Sequence, residues 1–371
     1  MTEQLNELLL AAETGQNFRS TFCRFDMQKK SQDLWVFCSH VGIPAGKFAQ
    51  TRVGRNIFGD KLYMNCPENN WYRNGIPGIT SDIQRIPEIV NLVARKRGRK
   101  RVYVVGHSMG AYLAILLGQL VENARYLAIS PEPVLGLVGS RSARYNAQHG
   151  LSLKELLFSA DSQSNGKSME EKGLLLYGVF DPVDAFFLQD EDLLKGRFGL
   201  VREVFWHHGI TEYLNGRGKY LGLLESFSAI ERLPEIHSDL LSYTGTHGRP
   251  SQYAGFYKAM VAVTQKNMSS ALRLADQMED WENPGWQFYR SKIYHRLNMK
   301  SKAYQAASSA FHGAPDVYEH AIQYAKSAIA CGDQLAVRRL LLEQPKGTYN
   351  HANYDRFVEF ARGWIVKAHK A

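Results

Sequence analysis

Cysteine is scarce in this chain: Cys23, Cys38, Cys66 and Cys331 are all it has in 371 residues. None forms a Cys-x-x-Cys pair or sits in a Cys/His cluster, which argues against a structural zinc site and a disulfide-stapled scaffold. Three of the four lie in or beside apolar, strand-like runs, where buried reduced thiols are commonly found. Long apolar runs are missing too, so no segment reaches the roughly 20 residues that a membrane-spanning helix needs. The segment Met1 to Gly15 mixes Glu3, Glu7 and Glu13 with Leu5, Leu8, Leu9 and Leu10. That pattern suits a short amphipathic helix and lacks the basic start of a secretory leader. Together these absences lead to the expectation of a cytoplasmic protein with no membrane span, no bound metal and no cofactor.

Acidic residues are outnumbered, and the formal net charge is +9. The excess is diffuse apart from one run, Arg95, Lys96, Arg97, Arg99, Lys100 and Arg101, which stands just before an apolar strand pattern. Cations there meet the negative end of a helix dipole, so the run reads as a solvated helix end. No aromatic residues interleave with it and no nucleic-acid motif accompanies it, so nucleic acid is not an expected partner. With 44% hydrophobic and 22% charged residues, the usage is that of a globular protein and excludes wholesale disorder.

Short apolar runs alternate with helical stretches from Thr21 to His208, the signature of a mostly parallel sheet with helices on its faces. The spacing predicts strands at Thr21–Phe25, Leu34–Ser39, Lys61–Cys66, Arg101–Val105, Tyr126–Ser130, Leu174–Gly178 and Glu203–His207. Between them, Ile83, Ile86, Ile89, Val90 and Val93 form a helical stripe, with Pro87 in a first turn or at a kink. The stretch Gly110–Leu120 is apolar nearly all round and predicts a helix buried against the sheet. Beyond Ile236 no strand-like run follows, and Gly245, Gly248 and Pro250 punctuate a polar stretch. The expected organisation is therefore an α/β part over 1–240, with a cap-like segment over 132–172, and an all-α part over 250–371. Breaks at Glu282–Gly285, His312–Pro315 and Pro345–Gly347 recur at intervals of about 30 to 34 residues, the period that signals helix-turn-helix repeats.

The strongest local signal is Gly106-His107-Ser108-Met109-Gly110, entered straight from the apolar run Val102–Val105 and left straight into an apolar helix. A Gly-x-Ser-x-Gly framed in this way places its serine on a strained strand-to-helix turn, with glycines where side chains would clash. Ser108 would project as a nucleophile, and the N–H of Met109 at the positive helix end would help hold an oxyanion. A serine hydroxyl is a weak nucleophile that needs a base, and the base needs an orienting acid.

In these residues the chain resembles the α/β-hydrolase family over about Thr21 to Phe227. The resemblance implies an α/β-hydrolase fold and a catalytic order of serine, acid, histidine, each on a loop after a strand. The acid position matches Asp181, with Asp184 and Glu132 as alternatives; an Asp-Pro pair is also a common turn former. The base position matches His208, ahead of Gly209 and a helical run, with His207 as the alternative. The second oxyanion donor is expected from Val41 or Gly42, and His40 and His107 are expected to shape the substrate pocket. The cap-like segment mixes Leu135, Leu137, Val138, Leu151, Leu153, Leu156 and Leu157 with Arg141 and Arg144. That mixture suits an acyl group carried on a polar or anionic moiety.

The C-terminal part resembles tetratricopeptide repeats: Ser291, Tyr294, Ala303, Ala310 and Pro315 match that family's spacing, Trp286 is displaced from it, and Ala325, Gly332 and Ala336 match with slippage. This resemblance implies stacked helical hairpins and a possible protein partner. A generic helical bundle has the same alternation of small and large residues and stays open. The expected function is hydrolysis of a carboxylic ester or thioester of a small or carrier-linked acyl substrate. Acyl transfer by the same residues, or a binding protein with a vestigial site, are the alternatives.

Overall fold

The structure is a computed structural model and describes residues 2–145, 172–190, 198–229, 248–343 and 352–368. Eight strands form one sheet: β1 (Phe18–Arg19), β2 (Cys23–Asp26), β3 (Asp33–Cys38), β4 (Asp60–Met64), β5 (Arg101–His107), β6 (Ala124–Ile129), β7 (Gly173–Gly178) and β8 (Leu200–Val204). They are ordered β1-β2-β4-β3-β5-β6-β7-β8. The β1–β2 and β2–β4 pairs are antiparallel, whereas every pair from β4 through β3 to β8 is parallel. The fold class is thus α/β, of the α/β-hydrolase type, followed by an all-α part.

Both faces of the sheet are covered, which explains why its strands read as apolar runs without clean alternation. On one face Trp35, Phe37, Tyr63, Tyr103, Val105, Leu127, Ile129, Leu174 and Leu176 pack against Ile210, Leu214, Tyr220, Leu223, Leu224 and Phe227 of the helices Ile210–Gly216 and Tyr220–Ala229. Alternate residues point the other way. There the helix Met109–Leu120 lies on β3, β5 and β6, and Gly118 lets the Tyr126 ring come against its backbone. The helix Ile86–Lys96 packs next to it, with Pro87 in the first turn, and the N-terminal helix Glu3–Thr14 packs on that helix in turn. The hydroxyl of Thr2 caps the N-terminal helix, and Gly15 ends it at φ 68°.

The basic run is used structurally. Arg95 and Lys96 occupy the last turn of the helix Ile86–Lys96. Arg97 and Arg99 then reach Asp60, whose carboxylate is fully buried, at 3.0 and 2.7 Å. Lys96 pairs with Glu13 and Arg101 with Asp33. Four cations are therefore committed within the fold.

The last strand differs from expectation: it runs from Leu200 to Val204, three residues ahead of Glu203–His207. Its partner sets its length. Leu200 pairs with Leu174 and Val204 with Gly178, where β7 ends, so 205–208 leave the sheet as a turn. Gly199, at φ 114°, opens the strand where a β-carbon would collide with the backbone of Gly173. The two-residue β1 has no sequence pattern long enough to announce it. Of the cap-like segment, 132–145 and Lys172 are described, with a short helix at Arg141–Arg144; Leu151, Leu153, Leu156 and Leu157 lie outside the described residues, as do the expected boundary near 240 and the break at Pro345–Gly347.

The chain divides into two compact units, one of residues 1–178 and 187–243, the other of residues 179–186 and 244–371. Among the described residues the second unit comprises helices at Pro250–Thr264, Met268–Gln277, Pro284–Arg296, Lys300–Gly313, Tyr318–Cys331, Gln334–Glu343 and Ala352–Ala368, together with the segment Val179–Phe186. Successive helices pack on each other, and Pro284–Arg296 also meets Tyr318–Cys331, which meets Ala352–Ala368. Close approach is possible because Ser291, Ala303, Ala307, Ala310, Ala325 and Ala328 are buried at these contacts. The segment Val179–Phe186 is held by the helices. Asn283 donates from Nδ2 to the Val179 carbonyl at 3.3 Å, the Phe180 ring lies tilted 5.7 Å from that of His320, and Phe186 lies 4.2 Å from Tyr257 between ring centroids. Gly285 comes so close to Phe180 that a β-carbon there would collide with the Phe180 backbone.

Candidate active site

Ser108 joins β5 to the helix Met109–Leu120 at φ 55° and ψ −118°, a conformation that costs a non-glycine residue of order 1–3 kcal/mol. Its neighbours enforce it. The Ser108 N–H donates to the Ile129 carbonyl at 2.8 Å, which ties the turn to β6. A β-carbon on Gly106 would strike the Gly110 carbonyl, and one on Gly110 would strike the Cys38 carbonyl. Both glycines are therefore required by close backbone approach. Ser108 is 2% exposed, and its Oγ makes no hydrogen bond among the described residues.

Met109 follows as the first residue of a helix, where an N–H has no carbonyl in a preceding turn to pair with. Of the two residues expected to supply a second donor, Gly42 gives its N–H to the Asn69 side chain at 2.8 Å. The Val41 carbonyl accepts from Nδ1 of His40 at 2.8 Å, so His40 shapes this loop from within. Asn69, Trp71 and Tyr72 all have positive φ, and the Tyr72 hydroxyl anchors the strand ends by donating to the carbonyls of Ser39 and Met64.

The turn after β8 presents two histidines with different surroundings. His207 is part-exposed, its ring lies tilted beside that of Trp206, and its Nδ1 accepts from the Gly209 N–H at 3.0 Å. His208 is buried, and its ring centroid lies 5.2 Å from that of His107. Its carbonyl accepts from Nε2 of His107 at 2.9 Å and from the Ser130 hydroxyl at 3.1 Å. Because a carbonyl only accepts, His107 carries its proton on Nε2 and a lone pair on Nδ1. Burial, reinforced by the neighbouring His208, holds the His107 pKa well below the usual histidine value, so the ring is neutral. Gly178 lets this turn press on the end of β7, since a β-carbon there would meet the His207 carbonyl at 2.6 Å. The structure thus brings Ser108, His107 and His208 to one edge of the sheet.

Asp181 stands three residues beyond the end of β7. Its Oδ1 accepts from the N–H groups of Val183 and Asp184 at 2.9 and 3.1 Å, which caps the short helix Pro182–Phe187. Asp184 lies inside that helix. Asp181 and Asp184 belong to the helical unit, Ser108 and His208 to the sheet unit. Glu132 is fully buried, and both its oxygens are engaged, by the N–H groups of Arg141 and Ser142 at 2.9 and 3.0 Å.

A cavity of about 610 Å³ opens along the wall formed by His40 and His107 and extends to Gln50, Thr211 and Tyr220. Gln50, Thr211 and Tyr220 have no motif in the sequence. Gln50 is far along the chain from Thr211 and Tyr220, and the packing of the helices Ile210–Gly216 and Tyr220–Ala229 on the sheet gathers them. Among the described residues no group of three metal-ligating side chains could hold a metal ion, and no helix is long and apolar enough to cross a membrane.

No protein-family model matches the chain, and no curated protein matches it. Among solved structures it is similar to the capsule O-acetyltransferase of Neisseria meningitidis serogroup A in complex with caged gadolinium. The identity is 17%, the match covers 56% of this chain and 93% of that chain, and the TM-score is 0.38. A second structure of that O-acetyltransferase is 15% identical over 56% of this chain and 94% of that chain, with a TM-score of 0.37.

Proposed function

We propose that this chain is a serine enzyme that passes an acyl group through an ester on Ser108. The observation that carries the proposal is the strained turn at φ 55°, ψ −118°, which two glycine contacts maintain around a serine whose Oγ makes no hydrogen bond among the described residues. Strain kept by its surroundings and a hydroxyl without a packing role are what a nucleophile requires.

In this reading His208 takes the Ser108 proton as Oγ attacks the acyl carbonyl, and Asp181 orients the imidazole. The N–H of Met109 and that of Val41 stabilise the tetrahedral anion; the Gly42 N–H is already donated to Asn69. His208 then protonates the leaving oxygen or sulfur, and the acyl group stays on Ser108. Attack by water releases a carboxylic acid, so the overall reaction is ester or thioester hydrolysis. A second reading is transfer to an acceptor hydroxyl, and burial favours it: Ser108 is 2% and His208 8% exposed, and a site that limits water lets a bound alcohol compete for the acyl group.

Labelling by a fluorophosphonate probe tests the chemistry. Wild type and His207→Ala should label, Ser108→Ala should not, and His208→Ala should label at least about a thousandfold more slowly. Turnover of p-nitrophenyl acetate with and without added alcohols separates hydrolysis from transfer. A wild-type protein that never labels would leave a binding protein with a vestigial site as the reading to pursue.

A further inference from the structure

The segment that carries Asp181 leaves the sheet unit for the helices. Gly178 and Phe187 on either side of it belong to the sheet unit, whereas Val179–Phe186 belongs to the helical unit. Three helices hold it through chemically different contacts. Asn283, 2% exposed, uses both ends of its amide: Oδ1 accepts from the Trp286 N–H at 3.0 Å and caps the helix Pro284–Arg296, while Nδ2 donates to the Val179 carbonyl. His320, on Tyr318–Cys331, is fixed by Nδ1 donating to the Ala310 carbonyl at 3.1 Å, and its buried ring lies 5.7 Å from that of Phe180 and 5.0 Å from that of Phe288. Tyr257, on Pro250–Thr264, meets Phe186. Between these anchors Val183 and Ala185 are buried as well. Asp181 is locked within the segment in turn, because its Oδ1 holds the N–H groups of Val183 and Asp184.

We infer that the helical unit holds Val179–Phe186 as a peptide bound in cis, and that Asn283 and Phe180 are positioning residues that act on the reaction through Asp181. The inference rests on the serine-enzyme reading above, in which Asp181 orients the base. Stacked helices build surfaces suited to binding an extended segment. Here the chain supplies that segment itself, so the helix ends at Asn283, Gly285 and His320 are covered and not open to a partner's peptide. The placement of the Asp181 carboxylate then depends on a residue 104 positions beyond Val179, rather than on the strand that precedes it. Misplacing a catalytic group by about 1 Å can cost about a hundredfold in rate, so loosening these anchors should be read in turnover.

The test uses the full chain. Asn283→Ser keeps a capping oxygen for the Trp286 N–H and lacks the nitrogen that reaches Val179. Phe180→Leu keeps an apolar side chain and loses the ring that meets His320. In both variants, hydrogen exchange read by mass spectrometry should quicken about tenfold or more over 179–187 and stay unchanged over the helix Met109–Leu120. The kcat for p-nitrophenyl acetate should fall about tenfold or more, with KM within about twofold of wild type. In an Asp181→Ala background the same substitutions should change kcat by less than about twofold, because a residue that acts through Asp181 then has nothing to act on; a merely structural contact would lower activity equally in both backgrounds. Wild-type kcat in both variants, exchange over 179–187 that stays slow, or an equal further loss without Asp181 overturns the inference. Any of these in a protein that fluorophosphonate labels at Ser108 defeats the inference alone. A wild type that never labels, while exchange over 179–187 still quickens in the variants, defeats the serine-enzyme reading.

Discussion

Nε2 of His107 donates to the carbonyl oxygen of His208 at 2.9 Å, so the residue before the serine fixes the backbone of the histidine beyond β8. The Ser130 hydroxyl donates to the same oxygen. If His208 is the base, its position depends on a bond from a ring that does not itself react. His107→Leu should lower kcat for p-nitrophenyl acetate by about tenfold or more through misplacement of that base. His107→Gln, which can still donate, should retain more activity, and steady-state kinetics of the two variants checks the order.

The neutral, buried ring of His107 also makes stability depend on pH. Its folded pKa lies well below the ordinary value of 6.5, so the unfolded chain takes up a proton that the folded chain refuses. Its contribution is fully present above pH 6.5 and is lost as pH falls from there toward the folded pKa. The slope approaches about 1.4 kcal/mol per pH unit for this one group. Urea unfolding between pH 7 and 5 should show a shallower fall in His107→Gln than in wild type.

Gly285 lies against the backbone of Phe180, next to Asp181. Gly285→Ala improves helix propensity by about 1 kcal/mol, yet its methyl group has nowhere to go, and overpacking costs about 1–3 kcal/mol. The thermal midpoint should therefore not rise. If Asp181 orients the base, kcat should fall as well, because the segment Val179–Phe186 moves with Phe180.

Asp60 is fully buried between Arg97 and Arg99 and also accepts from the Gln28 N–H at 2.6 Å. Asp60→Ala leaves two nearly buried guanidinium groups without their counter-ion and should destabilise the sheet unit by about 3–5 kcal/mol. Denaturant unfolding measures this, and surface Glu13→Ala, which loses only the exposed partner of Lys96, should shift it by less than about 1 kcal/mol.

The thiols divide by burial. Burial pushes the Cys23 thiol up to about 12 and raises Cys38 and Cys66 as well, whereas Cys331 is exposed. A maleimide should modify Cys331 alone in the native protein and all four after unfolding. Mass spectrometry of the labelled chain checks both states.

Much of the α/β architecture was legible because its signals are local. The strand, Gly106-His107-Ser108-Met109-Gly110 and the apolar helix are contiguous, so sequence alone placed the strained serine and the need for both glycines. The strands on either side of Ser108 are covered on both faces, so their apolar runs were plain; β8 was misplaced because its end is dictated by the length of β7, which its own residues do not encode. The basic run announced a helix end, but its partner Asp60 is remote in sequence.

What tertiary structure decided was the use of residues that no pattern distinguishes. His207 and His208 are neighbours in sequence, and only packing puts one near Trp206 and the other against His107. Gly42 fitted the expected donor loop until Asn69 claimed its N–H. The segment with Asp181 follows a sheet strand yet is held by helices from Asn283 and Gly285 onward. Gln50 and Thr211 stand 161 positions apart, and they share a cavity because a helix folds back over the sheet. Sequence determines the conformations that neighbouring residues impose on one another; the fold alone decides which distant residues come to line a common space, because burial and hydrogen-bond satisfaction are properties of the whole packing.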